Sequence, residues 1–140
     1  MAHLYAVTSH KATAVNFSVI CNFTAPNDRN LVVARSNTLY VYTLKDIGLV
    51  LSVEIPLFGR IKGVEVYRPL SYEKDTIFVM VEHKHVCLLE FDVQSKQVLT
   101  RANMSVQDRI GKDSDLGQKS LIDPEGRLLA LRIYNGSLKV

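Results

Sequence analysis

Apolar and polar residues alternate with a period of two along most of this chain, in short runs that turn-forming residues separate. No segment repeats apolar residues at helical spacing over three turns, so the pattern predicts β-strands and almost no helix. The predicted strands cover residues 16–23, 31–35, 38–43, 49–55, 61–67, 77–82, 85–92, 98–103, 120–123 and a final hairpin within 127–140.

The strongest local signal is Asn135-Gly136, because both residues tolerate the positive φ of a two-residue hairpin turn. Such a turn places Tyr134 opposite Ser137 and Leu131 opposite Val140. One buried face of the hairpin then holds Leu129, Leu131, Ile133, Leu138 and Val140.

Two earlier pairs of residues predict similar turns, at Ser36-Asn37 and at His83-Lys84. The second turn would put His85 opposite Glu82. The first turn predicts two strand faces, with Val32, Ala34, Leu39 and Val41 on one and Leu31, Val33, Tyr40 and Tyr42 on the other.

The three turns recur at a spacing of about fifty residues, and each complete cycle contains four short strands. Four-stranded antiparallel units repeated at this period favour a β-propeller over the alternative, a β-sandwich. The chain lacks Trp and the Gly-His/Trp-Asp pairs of the common Trp-Asp repeat. The third cycle has no fourth strand, so we expect other residues to complete the ring.

The composition is that of a globular domain, with 47% apolar and 22% charged residues. The net charge of +3 is not concentrated in a basic block, so it neither requires nor excludes nucleic acid. The N-terminal residues do not resemble a secretory signal, and no apolar run is long enough for a membrane span. Two distant cysteines, Cys21 and Cys87, predict free thiols and a nuclear or cytosolic protein.

His83, His85 and Cys87 are spaced two apart, which on one strand would align three zinc-capable side chains. The predicted register, however, leaves His83 in the turn and Cys87 beside Met80 in the core. No fourth ligand is evident, so we expect no metal.

Two glycine- or acid-rich stretches also lack a complete site. Residues 113–117 contain two aspartates but not the later bidentate acid of a calcium loop. Gly59 and Gly63 precede no helix that could bind phosphate, so we expect them to relieve crowding near an inner strand. We find no nucleophile–base pattern either, so the sequence predicts neither an enzyme nor a cofactor.

Asp108-Arg109 lies in a long polar loop and has two interpretations. The favoured one is an ion pair that fixes the loop; the other leaves Arg109 available to contact a partner protein. Arg109 is therefore the single candidate for a partner-binding residue, and the sequence predicts no catalytic, cofactor or metal residues.

Several blocks of sequence, in fixed order along the whole chain, resemble the family of the large subunit of the damage-specific DNA-binding protein. These blocks are Tyr5-x-Val7-Thr8, Asn22-Phe23-Thr24, Asn30-Leu31-Val32-Val33-Ala34-Arg35, Ile55-Pro56-Leu57-Phe58-Gly59-Arg60-Ile61, Tyr67-Arg68-Pro69, Thr100-Arg101-Ala102, Val106-Gln107-Asp108-Arg109-Ile110-Gly111, Ile122-Asp123-Pro124 and Leu131-Arg132-x-Tyr134-x-Gly136-x-x-Lys139-Val140.

The resemblance implies a non-catalytic adapter with three seven-bladed propellers, of which this chain would form the N-terminal part of the first. In that family the adapter joins substrate-receptor proteins to a cullin-RING ubiquitin ligase and contacts damaged DNA only through a partner subunit. It implies a protein of the nucleus and cytoplasm that needs no membrane or small molecule. The alternative is a related propeller subunit of a splicing or messenger-RNA 3′-end-processing complex.

The resemblance and the repeat together predict an all-β partial propeller of about three blades. The expected blades are residues 16–56, 60–103 and 118–140, the last incomplete. Residues 1–11 are expected to form a leading strand, with Leu4–Thr8 pairing elsewhere in the protein.

Overall fold

The computed structural model describes residues 2–140 and is built from antiparallel strands. The strands are β1 (Phe17–Cys21), β2 (Asn30–Arg35), β3 (Thr38–Lys45), β4 (Gly48–Pro56), β5 (Ile61–Tyr67), β6 (Thr76–Val81), β7 (His85–Asp92), β8 (Gln97–Ser105), β9 (Lys119–Ile122) and β10 (Leu129–Arg132). The helical content of the described residues is one 3₁₀ turn, Glu82–Lys84. The predicted all-β class is therefore confirmed.

Strands β1 to β4 form one four-stranded sheet in chain order, here called blade 1. The β2–β3 hairpin has the predicted two-residue turn, with Val32 opposite Val41 and Ala34 opposite Leu39. These four side chains are buried on the face that the alternation predicted. The register prediction for this hairpin is confirmed.

Strands β5 to β8 form a second sheet of the same order, blade 2, but the predicted register of its central hairpin is wrong by one residue. His85 pairs with Val81 rather than Glu82, and Cys87 pairs with Val79 rather than Met80. The turn takes three residues because Glu82 joins it and His83 adopts a positive φ of 61°.

Strands β9 and β10 form a two-stranded sheet, the partial blade 3. The predicted two-residue hairpin at Asn135-Gly136 is wrong here, because Leu131 exchanges backbone hydrogen bonds with Lys139 (2.7 and 2.9 Å) and not with Val140. The Asn135 amide donates instead to the Lys112 carbonyl, which lengthens the turn. As a result Leu138 and Val140 are 63% and 77% exposed rather than buried.

The three sheets lie side by side, and two apolar clusters join them. One cluster lies between blades 1 and 2 and the other between blades 2 and 3. The inner strands β1, β5 and β9 are in contact in that order. Four-stranded antiparallel sheets stacked through their first strands are the blades of a propeller.

The outer face of blade 1, opposite the core, is also apolar, and it is exposed at Ile20, Leu44, Leu49 and Leu51 although Val33 and Tyr40 on the same face are buried. Cross-strand pairs join Ile20 to Leu31 and Leu44 to Leu49 on this face. Such a face is typical of a surface that another element covers.

Residues 2–16 contain no strand in the structure, and Lys11 holds this segment to blade 1 through an ion pair with Glu54 (2.8 Å). The predicted leading strand needs a partner strand elsewhere, so it stays a prediction, as do the blade boundaries; Met1 lies outside the described residues. No helix among residues 2–140 is long and apolar enough to cross a membrane.

Because successive strands are antiparallel, the connections alternate between the two ends of the stack. One end, which we call the near rim, carries residues 36–37, 57–60, 82–84, 106–118 and 133–138. The other end, the far rim, carries residues 22–29, 46–47, 68–75, 93–96 and 123–128.

Candidate protein-binding rim

The near rim is a continuous surface because backbone hydrogen bonds join its turns. The bonds of 2.8 Å run from the amides of Leu57, Ile61, Glu82 and Val106 to the carbonyls of Asn37, Ser36, Arg60 and Lys84 respectively. Each connection between blades is thereby tied to the hairpin turn beside it. Side chains on this rim are held on a fixed backbone although they lie in loops.

Tyr134 anchors the longest near-rim connection, residues 106–118. Its buried hydroxyl accepts a hydrogen bond of 2.8 Å from the Asp108 amide, and the Lys84 ammonium lies 5.4 Å from the ring centroid. Gly111 packs so closely that a Cβ there would lie 2.6 Å from the ring. The loop therefore wraps around one aromatic side chain.

Most carboxylates of this rim are paired with lysines. Lys84 binds Asp113 at 2.9 Å, Lys112 binds Asp115 at 3.1 Å and Lys139 binds Asp108 at 2.6 Å. The predicted Asp108–Arg109 ion pair is therefore wrong, because the Asp108 carboxylate binds Lys139 instead. The aspartates of the apparent calcium loop are occupied in the same way.

Two near-rim arginines differ from these lysines, because neither Arg60 nor Arg109 forms an ion pair with any of residues 2–140. Both are exposed. Each also lies beside a large exposed apolar side chain: Phe58 is 88% and Ile110 is 92% exposed. The near rim thus presents two arginine–apolar pairs.

A groove of about 730 Å³ borders Phe58 and Arg60. Arg35 lines it, with its guanidinium 4.8 Å from the ring centroid of Tyr40 and its Nη2 3.4 Å from the Tyr42 hydroxyl. The buried Nε of Arg35 has no hydrogen-bond partner among residues 2–140. The groove therefore adds a further cation next to Arg60.

Comparison with known families decides the identity of this stack of blades. Residues 14–140 match the family model described as "RSE1/DDB1/CPSF1 first beta-propeller". The chain belongs to this family. The resemblance read from the sequence blocks is thereby confirmed.

Similarity to individual proteins leads to the same family. The chain is 41% identical over 136 residues to DNA damage-binding protein 1b of Arabidopsis thaliana, 40% to DNA damage-binding protein 1 of Oryza sativa subsp. japonica and 39% to that of Solanum lycopersicum. In each case the match covers 97% of this chain and 12% of the relative. The chain thus spans about an eighth of the length of these relatives.

Among the other candidates from the sequence, the histidines and the cysteine do not meet in this propeller fragment. His83 is in the turn, while Cys87 packs against the core between blades 1 and 2. Burial raises the pKa of the Cys87 thiol to about 11, so the thiol stays protonated at neutral pH. Residues 2–140 contain no cluster of three metal-binding side chains.

Gly63 has the predicted role of relieving crowding at an inner strand. A Cβ on Gly63 would lie 2.8 Å from the Ser120 hydroxyl of β9, so a larger residue would force Ser120 to move and would disturb the contact between blades 2 and 3. Gly59 packs similarly against Glu82, because an added Cβ on Gly59 would lie 3.0 Å from the Glu82 side chain. The glycines thus serve blade packing rather than phosphate binding.

The same contact between blades 2 and 3 contains a carboxylate, Glu65, which accepts a hydrogen bond of 3.0 Å from the Ser120 hydroxyl. Burial raises the pKa of Glu65, and the hydrogen bond from Ser120 opposes part of this rise. Because the folded pKa exceeds the unfolded one, the resulting stabilisation is complete below the unfolded pKa. It is lost as the pH rises through the folded pKa.

We therefore expect Glu65→Gln, which keeps an acceptor for Ser120, to stabilise the protein near neutral pH by roughly 0.5 kcal/mol after allowance for solvent screening. In acid, where Glu65 is already protonated, the gain should vanish. Denaturant unfolding followed by circular dichroism at both pH values measures this, with exposed Glu73→Gln as control. An equal gain at both pH values would contradict the burial explanation.

Proposed function

We propose that this chain is part of a non-catalytic scaffold that links substrate receptors to a cullin-RING E3 ubiquitin ligase. Through its receptors the scaffold would take part in ultraviolet-damaged-DNA recognition and nucleotide excision repair, in the nucleus and cytoplasm. The observation that carries this proposal is the 41% identity, over 97% of the chain, to DNA damage-binding protein 1b.

The geometry of the chain supports a role in binding. A stack of blades holds its loops on a rigid frame, so the rims offer fixed surfaces for other proteins. The unpaired arginines of the near rim, with Arg109 among them, are our candidates for partner contacts. Contact with damaged DNA is proposed to pass through a partner subunit, because the near rim interleaves its cations with carboxylates.

Two apolar surfaces of this chain are incompletely covered. One is the exposed face of blade 1; the other is an apolar groove of about 580 Å³ between blades 2 and 3. We propose that a further blade of a seven-bladed ring covers the face of blade 1 and that further strands of blade 3 cover the groove, since complete sheets and ring closure are how propellers protect their sheet faces.

The second candidate is a propeller subunit of a splicing or messenger-RNA 3′-end-processing complex. The family description joins three proteins, RSE1, DDB1 and CPSF1, and so favours no single one of them. The identities to DNA damage-binding protein 1 favour the ligase adapter.

Affinity purification of the longest protein that the gene encodes separates the two candidates. We expect a cullin and its substrate receptors to co-purify with it. Splicing or polyadenylation factors in their place would overturn the adapter function. The 140-residue chain tested in parallel should bridge no cullin to a receptor, because the cullin surface is proposed to lie outside it.

A further inference from the structure

We propose that the near rim binds an acidic segment of a partner protein that also carries large apolar side chains, an inference that rests on the scaffold function proposed above. Arg60 and Arg109 would contact its carboxylates, and Phe58 and Ile110 its apolar side chains. The proposal names the chemistry of the partner and the residues that recognise it.

The charge distribution of the near rim favours an acidic partner. Asp108, Asp113 and Asp115 are each neutralised by a lysine of this chain, as described above. Arg60 and Arg109 keep their charge unpaired, as does one carboxylate, Glu82, which is half-buried against Gly59. The exposed charge left over for a partner is therefore positive.

The groove next to Phe58 adds an independent observation. Tyr40 and Tyr42 hold the Arg35 guanidinium in place, yet its buried Nε has no acceptor among the described residues. A buried donor without an acceptor is unfavourable unless a ligand or water supplies one. Arg35 and Arg60 both line this groove, together with Glu54, which Lys11 neutralises, and the half-buried Glu82, so a carboxylate that enters it can contact the two arginines.

The apolar side chains favour a partner that also has apolar residues, because they are exposed on backbone that is already fixed. The Leu57 amide is bonded to the Asn37 carbonyl on one side of Phe58, and the Arg60 carbonyl accepts from the Glu82 amide on the other. Ile110 lies between Asp108 and Gly111, which Tyr134 anchors. Binding through such side chains loses little conformational entropy, and aromatic and arginine residues dominate the energetics of interfaces.

Nucleic acid is the other polyanion to consider, and the rim fits it less well. Single-strand binding surfaces combine a continuous basic track with aromatic side chains on which bases stack. Here Phe58 is the one exposed aromatic ring beside an unpaired arginine among residues 2–140, and four carboxylates lie close by on the same rim. Ile110 offers an aliphatic contact, which favours a protein partner.

The test measures fluorescence polarisation with the longest protein that the gene encodes. The main probe is a labelled amphipathic peptide with one glutamate face and one leucine face. Its matched versions carry lysine for glutamate or serine for leucine, and the nucleic-acid probe is a single-stranded oligonucleotide of equal charge. We expect the glutamate–leucine peptide to bind best, and its binding to weaken as salt is raised.

We expect the double variant Arg60→Ala/Arg109→Ala to weaken this binding roughly tenfold or more, since each arginine supplies a charge-assisted contact. The charge-reversed variant Arg60→Glu/Arg109→Glu should prefer the lysine–leucine peptide. The double variant Phe58→Ala/Ile110→Ala should bind the leucine peptide no more tightly than its serine version. The control is Arg29→Ala/Leu70→Ala, an exposed arginine and an exposed apolar residue of the far rim.

The proposal would be overturned if the control variant lost as much peptide affinity as the rim variants. It would also be overturned if the oligonucleotide bound more tightly than the peptide and did so through the arginines. Co-purification of cullin and receptors is measured on the same proteins. If the wild type recovers them but the rim variants bind the peptide unchanged, this inference fails and the scaffold function stands. If the wild type binds the peptide through the arginines but recovers no cullin, the adapter function fails instead.

Discussion

Replacing Asn30 by alanine is expected to lower the free energy of unfolding by about 3–4 kcal/mol, mainly because two buried backbone amides lose their acceptor. Asn30 is fully buried at the start of β2. Its Oδ1 accepts from the amides of Phe23 and Thr24 (2.8 and 2.9 Å) and from the Thr24 hydroxyl (3.0 Å), while its Nδ2 donates to the Thr43 hydroxyl (3.0 Å). One side chain thus ties the β1–β2 loop to β3.

Alanine at this position leaves the buried backbone amides of Phe23 and Thr24 without acceptors, while the Thr24 and Thr43 hydroxyls keep their bonds to Asp28 and Ser52. Hydrogen–deuterium exchange measured by mass spectrometry gives the opening free energy of peptides from β1 to β3. We expect faster exchange throughout blade 1 and a smaller change in blade 2, since the two sheets have separate hydrogen-bond ladders.

The matched control is Asn37→Ala, the same substitution at an exposed turn position whose side chain accepts a bond from the Thr38 hydroxyl. It should change the opening free energy by less than about 0.5 kcal/mol, as is usual at exposed positions. If Asn30→Ala and Asn37→Ala have similar effects, the buried network is not what holds the β1–β2 loop.

The sequence predicted the β2–β3 register because its local turn and its local alternation agree, and the bonds of Ser36 and Asn37 to distant residues do not change it. Ser36-Asn37 closes a two-residue turn, and Val32 and Val41 alternate in phase on either side of it. Ser36 alone needs a positive φ in that turn, 54°, and it tolerates this value. The alternation and the turn agree, so one register satisfies both.

The two failed registers have distant causes that a local pattern does not contain. The Asn135 amide bonds to Lys112, and Tyr134 pairs with Asp113, so a loop from earlier in the chain widens the last turn. At the other hairpin the Glu82 amide bonds to the Arg60 carbonyl, which continues the pairing of β6 with β5, and Glu82 does not pair with His85. In both cases a hydrogen bond to a residue more than twenty positions away overrode the turn chemistry.

The residues of the near rim were predictable only in part, because their partners lie far away in the sequence. Arg109 stood out because it lies in a long polar loop, but its presumed partner Asp108 binds Lys139, which lies 31 residues further along the chain. The sequence placed Phe58 and Arg60 between a strand that closes at Pro56 and the next strand at Ile61, and it did not predict that they bind a partner. Their exposure follows from where β4 stops, at Pro56, and from Gly59 packing on Glu82.

Replacing Tyr134 by alanine should have the second large effect. We expect it to lower the free energy of unfolding by about 3–5 kcal/mol, as for other buried aromatic residues. The ring is buried in the cluster between blades 2 and 3, and the loop of residues 106–113 packs around it. Alanine leaves a cavity under this loop and removes the surface that the Lys84 ammonium contacts. We expect both β10 and the loop to exchange amide hydrogens faster.

Tyr134→Phe separates the hydroxyl from the ring. It removes the acceptor of the Asp108 amide but keeps the packing, so the loss should be about 1 kcal/mol. Exchange should then quicken at Asp108 and its neighbours but not in β10. Gly111→Ala approaches the same contact from the loop, where the added Cβ would lie 2.6 Å from the ring.

These three variants also test whether the rim depends on this anchor. Arg109 and Ile110 lie between the two contact points, Asp108 and Gly111, so loosening either point raises the entropy lost when a partner binds. Tyr134→Phe and Gly111→Ala should therefore weaken binding of the glutamate–leucine peptide while blade 3 stays folded. If exchange in the loop quickens and peptide binding does not change, the contacts of Arg109 do not depend on a fixed loop, and Arg60 with the groove beside Phe58 must carry the recognition.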